Sequence, residues 1–245
     1  MNMVRCDNLT KFFPVLRGYL KEKTGVVRAV DGVSLVIQKG ETFGLVGESA
    51  SGKTTLGKII LGILRQDSGT VEMSTERPQV IFQDPYNSLD PKMRVRDIIA
   101  EGLDVRNGGR KLQSAESVED ALGLVGLPKN AADKYPHQFS GGERQRIAIA
   151  RAVITKPEFI VCDEPVSSLD VTVQLQILKL LKTIQKELGI TYLFISHDLR
   201  VIRYMCNRVA VMKQGKIVEE AATEVLYSKP SDPYTKLLLS SILNI

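Results

Sequence analysis

Apolar and polar positions alternate along the chain in blocks that predict strands and helices in turn. Short apolar runs typical of buried strands recur between longer stretches with helical spacing. The predicted strands cover residues 4–13, 33–37, 42–46, 80–82, 159–162, 192–195 and 209–212. The predicted helices cover residues 55–64, 95–104, 114–125, 140–155 and 171–188. Strands that alternate with helices indicate an α/β fold with a parallel sheet.

Two segments depart from this alternation. Pro14 to Arg28 is basic and interrupts the opening strands, so we predict an exposed loop there. The helix-rich stretch after residue 83 predicts a helical insertion into the sheet. Residues 1–245 then form a single domain, with a core at about 1–83 and 156–245 and a helical subdomain at about 84–155.

Composition narrows the class of protein. The chain has 245 residues, 43% of them hydrophobic, which is ample for a core. No apolar run approaches the ~18 residues of a membrane span, and the N-terminus lacks the apolar segment of a signal peptide, so we expect a cytoplasmic protein. The three cysteines are far apart and form no metal or disulfide framework. A net charge of +5 permits anionic partners without identifying one.

The segment Gly47-Glu48-Ser49-Ala50-Ser51-Gly52-Lys53-Thr54 has the spacing of a phosphate-binding loop. A predicted strand precedes it and a predicted helix follows, which disfavours the alternative of a glycine-rich turn that binds nothing. Backbone N–H groups and the helix N-terminus would hold phosphate, Lys53 would add its charge, and Thr54 would ligate Mg²⁺. The candidate phosphate-binding residues are Gly47, Glu48, Ser49, Ser51, Gly52, Lys53, Thr54 and Thr55.

Two acids end the predicted strand at 159–162. Asp163 and Glu164 would face the crevice at the carboxyl edge of a parallel sheet. Asp163 is placed to hold Mg²⁺, and Glu164 is placed to deprotonate an attacking water. Taken alone, the pair could equally be two solvated acids; beside a phosphate loop, the catalytic interpretation is favoured.

A second anion-binding pattern follows at Ser140-Gly141-Gly142. Ser140 is a typical helix N-cap residue, and the two glycines leave the N–H groups of the helix start accessible. A plain capped helix is the alternative. One triphosphate cannot fill both anion sites of a single chain, so this pattern predicts that two copies of such a domain meet.

Together these motifs resemble the nucleotide-binding subunit of ATP-binding cassette (ABC) transporters. The resemblance implies a P-loop ATPase with a RecA-like parallel sheet core, an N-terminal antiparallel β-subdomain and an inserted helical subdomain. It implies that Gln83 senses Mg²⁺ and the transporter partner, and that Asp170 lies in the loop that crosses the dimer. It also implies that His197 contacts the γ-phosphate and that Phe13, or its neighbour Phe12, stacks on adenine.

Longer segments are similar to the ATPases of peptide and nickel importers. They are Gly47-Glu48-Ser49, the run from Gln83 to Leu89, Tyr135-Pro136-His137-Gln138, Asp163 to Ser167 and the tail from Asp232 to Leu238. The chain resembles the subunit that lacks a C-terminal cysteine cluster. The implied ligands are ATP and Mg²⁺. The implied partners are transmembrane permease subunits and a second ATPase subunit, either a related non-identical chain or a second copy, at the cytoplasmic face of the membrane.

Tyr86, Leu89 and Met93 are the candidates for a groove that docks the permease, with packing inside the helical insertion as the alternative. Three features depart from the family pattern. Ala50 replaces a glycine that is common in the phosphate loop. Glu143 brings a negative charge close to the Ser140 turn. The segment between Glu72 and Gln79 is short, which leaves the nucleotide preference open.

Two other functions compete with transport. A soluble ABC ATPase that acts on nucleic acid or ribosomes would need a long coiled coil, zinc-spaced cysteines or a second cassette, and the sequence has none of these. We therefore expect no nucleic-acid partner. A scaffold that binds nucleotide without hydrolysing it is disfavoured because Glu164 and His197 are both present.

Overall fold

The computed structural model describes residues 1–17, 22–84, 86, 88–106 and 115–243. Its strands are β1 (Asn2–Arg17), β2 (Glu22–Gln38), β3 (Thr42–Val46), β4 (Ser68–Met73), β5 (Gln79–Ile81), β6 (Phe159–Asp163), β7 (Thr191–Ser196), β8 (Arg208–Lys213) and β9 (Lys216–Ala222). Its helices are α1 (Lys53–Ile60), α2 (Val95–Arg106), α3 (Ala115–Leu124), α4 (Gly141–Val153), α5 (Val171–Leu188), α6 (Leu199–Met205), α7 (Thr223–Ser228) and α8 (Pro233–Leu243).

The chain divides into two compact units. The first unit comprises Met1–Glu76 and Thr191–Ile245, and the second comprises Arg77–Ile190. The second unit contains the helix-rich stretch together with β5, β6 and α5. The narrower boundaries of a helical subdomain at about 84–155 stay a prediction. Within the described ranges, no helix has both the length and the apolarity needed to cross a membrane.

An antiparallel sheet of order β2-β1-β4 opens the first unit. The antiparallel β-subdomain expected from the resemblance is therefore confirmed. The exposed loop predicted from Pro14 to Arg28 is wrong, because β1 continues to Arg17 and β2 starts at Glu22. Residues 18–21 of that predicted loop lie outside the described residues.

Edge pairing explains why this ribbon has the composition of a loop. The pairs described between β1 and β4 end at Thr10, and from there to Arg17 the pairs described for β1 are with β2. Pro14 sits opposite Val26 in this stretch. Proline and polar residues are tolerated where a strand has one free edge, so a narrow hairpin can be built from a sequence with loop-like composition.

A second sheet in the first unit has the order β7-β3-β8-β9. Every residue of β3 and β7 is buried, as expected for parallel strands covered on both faces. β9 was not predicted, and it runs antiparallel to β8, so the expected parallel pattern fails at this edge. Alternating acids and small residues in β9 give no strong strand signal. The short helices α6 and α7 and the C-terminal α8 also lacked a predicted counterpart.

In the second unit, β5 and β6 form a parallel pair, and α4 packs against α2, α3 and α5. Ser140 caps α4, as predicted from its residue type. Helix α1 of the first unit starts at Lys53 and ends at Ile60, not at residues 55 and 64. Gly62 follows with a φ of 70°, a left-handed conformation that ends a helix readily.

Candidate functional site

One edge of the first unit carries the phosphate loop and His197. In the parallel pair of β3 and β7, Val46 lies opposite Ser196. The next residues along the two strands are Gly47 and His197, so the start of the loop and the predicted switch histidine share the carboxyl edge of the sheet. This is the edge at which α/β proteins bind ligands.

The loop curves too tightly for side chains at two glycines. A Cβ on Gly47 would lie 2.1 Å from the carbonyl oxygen of Met212. A Cβ on Gly52 would lie 2.0 Å from the carbonyl oxygen of Ala29, and Gly52 has a φ of 108°. Both distances are below van der Waals contact. These positions therefore require glycine for the loop to seat against its own unit.

Lys53 folds over the loop that it ends. Its ammonium group donates to the carbonyl oxygens of Gly47 and Glu48, each at 2.8 Å, and the side chain is 5% exposed. Thr54 and Thr55 follow in the first turn of α1, where backbone N–H groups have no intrahelical acceptor. A cation and a helix N-terminus thus converge at one place, as an anion-binding loop requires.

Positive charge continues in a cleft beside the loop. The cleft has a volume of about 640 Å³ and borders Ala50. Arg28, Lys213 and Lys216 line it together with one acid, Asp31. This excess of cations favours an anionic ligand at the loop.

The two aromatic candidates lie on neighbouring positions of β1. The Phe13 side chain is 39% exposed, and the Lys11 ammonium lies 5.7 Å from its ring centroid. Phe12 is half-buried, and the Arg28 guanidinium lies 5.6 Å from its ring centroid. Of the two rings, Phe13 has the freer surface for stacking.

The second unit gathers the predicted acids at a corresponding edge. Ile81 of β5 lies opposite Cys162 of β6, so Gln83 and the pair Asp163 and Glu164 leave neighbouring parallel strands at the same end. Glu164 adopts a φ of 50°, which is uncommon for a residue with a side chain. Such backbone strain is most often found at functional sites.

Ser140 and Glu143 form a reciprocal capping box at the start of α4. The Glu143 carboxylate accepts from both the backbone N–H and the hydroxyl of Ser140, each at 2.8 Å. These two bonds hold the pKa of the Glu143 carboxyl below its usual value. The carboxylate therefore stays charged at neutral pH and lies beside the helix N-terminus that was predicted to bind an anion.

The glycines after Ser140 have a packing role as well. A Cβ on Gly142 would lie 2.5 Å from a methyl carbon of Val173 on α5. A Cβ on Gly141 would lie 3.4 Å from Leu169. Asp170 caps α5 by accepting from the Val173 N–H at 3.0 Å. The predicted dimer-crossing loop and the start of α4 are thus in direct contact within this unit.

Two arginines on α4 fasten the loop that follows Gln83. The Arg144 guanidinium lies 4.1 Å from the ring centroid of Tyr86, and Arg151 donates to the carbonyl oxygen of Ser88 at 2.6 Å. Desolvation by burial lowers the pKa of Arg151. Sequence reasoning missed both arginines, since nothing in their spacing indicates the loop as their partner. Pro85 and Asn87 of this loop lie outside the described residues.

The three residues proposed for docking differ in exposure. Tyr86 is 58% exposed and Met93 is half-buried, whereas Leu89 is 2% exposed. Leu89 therefore packs inside the second unit and offers no surface to a partner. Tyr86 and Met93 remain available.

The predicted metal donors come from both units. Thr54 lies in the first unit, and Gln83 and Asp163 lie in the second. Among the residues that the structure describes, no group of three or more His, Cys, Asp or Glu side chains could hold a metal ion. A metal shared with a bound phosphate needs fewer protein ligands.

The sequence pattern also did not predict the contact that Tyr234 makes with the phosphate loop. Its hydroxyl accepts from the Glu48 N–H of the phosphate loop at 3.2 Å, although the two residues are 186 positions apart. The available signal was its place in the tail segment that resembles the importer ATPases.

Comparisons with known proteins agree with the motifs. The family model described as "ABC transporter" matches residues 30–167. The chain is 48% identical to the oligopeptide transport ATP-binding protein OppF of Bacillus subtilis, over 93% of the chain and 80% of that protein. It is 46% identical to a putative peptide import ATP-binding protein of Brucella abortus, over 98% of the chain and 76% of that protein.

A solved structure supports the same fold. The dimeric post-hydrolysis state of the ATP-binding cassette MJ0796, bound to ADP and Pi, superposes with a TM-score of 0.76 at 28% identity. The match covers 90% of this chain and 99% of that one. The expected fold class is therefore confirmed, and no observation favours the nucleic-acid alternative.

Proposed function

This chain belongs to the ABC transporter family, and from that premise we propose that it is the ATP-hydrolysing subunit of a peptide importer. The observation that carries the proposal is the Gly47–Thr54 loop, with the Lys53 ammonium drawn over it. The names of the peptide-import relatives support peptide over nickel as the transported solute.

ATP is held by residues of the first unit. The amides from Gly47 to Thr55 and the Lys53 ammonium hold the phosphates, and Phe13 stacks on adenine. Phosphoryl transfer needs mainly positioning and charge neutralisation, which fixed amides and a buried cation supply. Phe13 and the short β4–β5 connection set the contacts to the base.

Hydrolysis depends on His197 and on the residues that follow β5 and β6 in the second unit. Glu164 takes a proton from the attacking water, and the oxygen of that water bonds to the γ-phosphorus as the bond to ADP breaks. His197 steadies the water and the departing phosphoryl group. Gln83 positions the same water. It also couples nucleotide binding to the conformation of the loop that follows it. Removal of a general base costs about 10²–10⁴-fold in rate.

The donor set fits Mg²⁺. Thr54, Gln83 and Asp163 offer hydroxyl, amide and carboxylate oxygens, which are the hard ligands that this ion prefers, in a number small enough to leave room for phosphate oxygens and water. When bound, Mg²⁺ neutralises charge on the β- and γ-phosphates.

A second ATPase subunit completes the site. Ser140, Gly141 and Gly142 of one subunit close over the γ-phosphate held by the other, and Asp170 lies in the loop that crosses between them. The partner is a related non-identical chain, with a second copy of this chain as the other arrangement. Both are peripheral subunits at the cytoplasmic face of the membrane.

The permease docks on the loop after Gln83. Tyr86 offers exposed apolar surface, and the half-buried Met93 adds part of its own. Arg144 and Arg151 tie the loop to α4, which also carries Ser140 at its start. Motion of the Ser140 turn is thereby passed to the docking loop.

The double substitution Tyr86→Glu and Met93→Glu should abolish permease binding and leave ATP binding intact. Tyr204→Glu, on α6 of the first unit, should affect neither.

The test of hydrolysis is Glu164→Gln in the full chain. The variant should bind ATP as wild type does and accumulate as an ATP-bound dimer, seen by analytical ultracentrifugation, while phosphate release falls by about 10²–10⁴-fold. Glu187→Gln, an exposed glutamate near the end of α5, is the matched control and should hydrolyse normally. Phosphate release by Glu164→Gln at the wild-type rate would remove Glu164 from the mechanism.

Transport is tested by reconstitution. Membranes that contain this subunit should yield its permease and second ATPase in a pull-down, and the reassembled complex in vesicles should take up labelled peptide in an ATP-dependent manner. Uptake of nickel without uptake of peptide would show that nickel is the transported solute and would leave the ATPase assignment unchanged. A pull-down of ribosomes or DNA in place of a permease would overturn the importer.

A further inference from the structure

The C-terminal helix reaches the phosphate loop at one point. Tyr234, the second residue of α8, is 7% exposed, and its hydroxyl accepts from the Glu48 N–H at 3.2 Å. The carbonyl oxygen of Glu48 in turn accepts from the Lys53 ammonium at 2.8 Å. A continuous path of hydrogen bonds thus runs from α8, through the backbone N–H and carbonyl oxygen of Glu48, to the Lys53 ammonium.

Tyr234 is itself held on several sides. Its backbone N–H donates to the Asp232 carboxylate at 2.8 Å, which fixes the start of α8. Glu219 of β9 accepts from the Ser231 N–H at 2.8 Å and from the Asp232 N–H at 3.1 Å. These bonds fasten the segment before the helix to the sheet, so the tyrosine hydroxyl has a defined position.

The ring of Tyr234 also places a cation. The Lys213 ammonium lies 4.4 Å from its centroid, within the range of a cation–π interaction. Lys213 lines the cleft that borders Ala50 of the phosphate loop. One buried side chain therefore contacts both the loop backbone and a lysine of the adjoining cleft.

We propose that Tyr234 is a positioning residue of the nucleotide site, which fixes the entrance of the phosphate loop through the Glu48 amide. This rests on the proposed function, since it assumes that the loop binds ATP. Tyr234 does not touch the nucleotide. It holds Glu48, so that the curvature of the loop and the position of Lys53 are set before nucleotide arrives, and the cost of ordering the loop is not taken from the binding energy.

The test compares two tyrosines that each lose a hydroxyl. Tyr234→Phe keeps the ring and removes the bond to Glu48. Tyr227→Phe, the matched control on α7, removes a hydroxyl that donates to the Leu199 carbonyl oxygen, away from the loop. The dissociation constant of MgADP is measured by calorimetry on the full chain, and KM and kcat for ATP are measured on the assembled complex.

Tyr234→Phe should raise the MgADP dissociation constant and KM about three- to tenfold, the effect of one hydrogen bond, and leave kcat within about twofold. Tyr227→Phe should leave the three constants unchanged. Should Tyr234→Phe not fold, Asp232→Ala, which releases the helix start, gives the same comparison. Wild-type affinity in Tyr234→Phe, or an equal loss in both variants, would overturn the positioning role. Wild-type protein that binds no MgADP would instead overturn the ATP site itself.

Discussion

Single residues in left-handed conformations lie in the phosphate loop of the first unit and after β6 of the second. Ala50 has a φ of 63° and Glu164 has a φ of 50°. This conformation costs an L-residue about 1–2 kcal/mol. It persists only when the surrounding structure holds the residue there. At Ala50 the conformation explains why glycine is common at this position of the loop. At Glu164 it directs the residue after β6 away from a regular strand path.

Ala50→Gly should therefore stabilise the chain. Glycine adopts this φ without strain, which raises the free energy of unfolding. Glycine also has more conformational entropy in the unfolded chain, which offsets part of that gain, so the net rise should be at most about 1 kcal/mol. Urea denaturation measures it. Ala221→Gly, in β9 at an ordinary strand conformation, is the control and should lose about 0.5–1 kcal/mol. A loss of stability at both positions would contradict strain at Ala50.

Glu143 brings a negative charge to the Ser140 turn, where we propose that a second anion site lies. Its carboxylate holds the Ser140 hydroxyl and occupies the helix N-terminus. Glu143→Gln keeps an oxygen that can accept from Ser140 and removes the charge. In a Glu164→Gln background, the ATP concentration at which half of the protein is dimeric should fall several-fold. Glu187→Gln supplies the control. An unchanged midpoint in Glu143→Gln would mean that the Glu143 charge does not oppose the triphosphate held by the other subunit.

At the scale of elements, β9 and α8 behave as one unit through Glu219. Burial alone would raise the pKa of the Glu219 carboxyl, but hydrogen bonds from Ser231 and the Asp232 N–H lower it to about 2. A carboxyl whose pKa is lower in the folded state stabilises the fold above its unfolded pKa. That contribution is lost as pH falls toward the folded value.

Wild-type stability should thus contain a contribution from Glu219 that is complete above about pH 5 and is lost progressively as pH falls from there to about 2. Glu219→Gln should lack it, so the difference in unfolding free energy between wild type and variant should shrink with acidification. Urea titrations at a series of pH values test this. Glu224→Gln, an exposed carboxylate on α7, controls for general acid effects. A difference that does not change with pH would refute the linkage.

The β1–β2 hairpin illustrates a limit of local patterns at the same scale. Its far half was predicted as a loop because Pro14 and the basic residues carry no strand periodicity. Pairing with β2 alone supplies the missing order, and pairing partners are not visible in a local window. Fully buried strands such as β7 were predicted correctly because burial on both faces requires an unbroken apolar run.

For the whole molecule, the motifs predicted the fold class, whereas contacts distant in sequence were found only in the structure. The phosphate loop and the cap at Ser140 are local, and their spacing is sufficient to place them on a strand end and a helix start. The bond from Glu48 to Tyr234 and the contact between Arg144 and Tyr86 join separate segments. No periodicity connects such positions.

Nucleotide should stabilise the entire chain through mass action. At a free MgADP concentration 100-fold above its dissociation constant, the free energy of unfolding should rise by about 2.7 kcal/mol. Lys53→Met should remove most of this gain, because the loop loses its cation. Lys58→Met, an exposed lysine on α1, should retain it. Thermal denaturation with and without MgADP measures both, and an equal rise in Lys53→Met would place the nucleotide elsewhere.

The contact of Gly142 with Val173 affects how mutational scans of this family member should be interpreted. Gly142→Ala would bring a Cβ to 2.5 Å from a Val173 methyl carbon, so Val173 or its helix must shift before any partner subunit or triphosphate is involved. Inactivity of that variant would include this disturbance of packing, so Ser140, whose side chain is exposed, is the more informative position for probing the proposed contact with a second subunit.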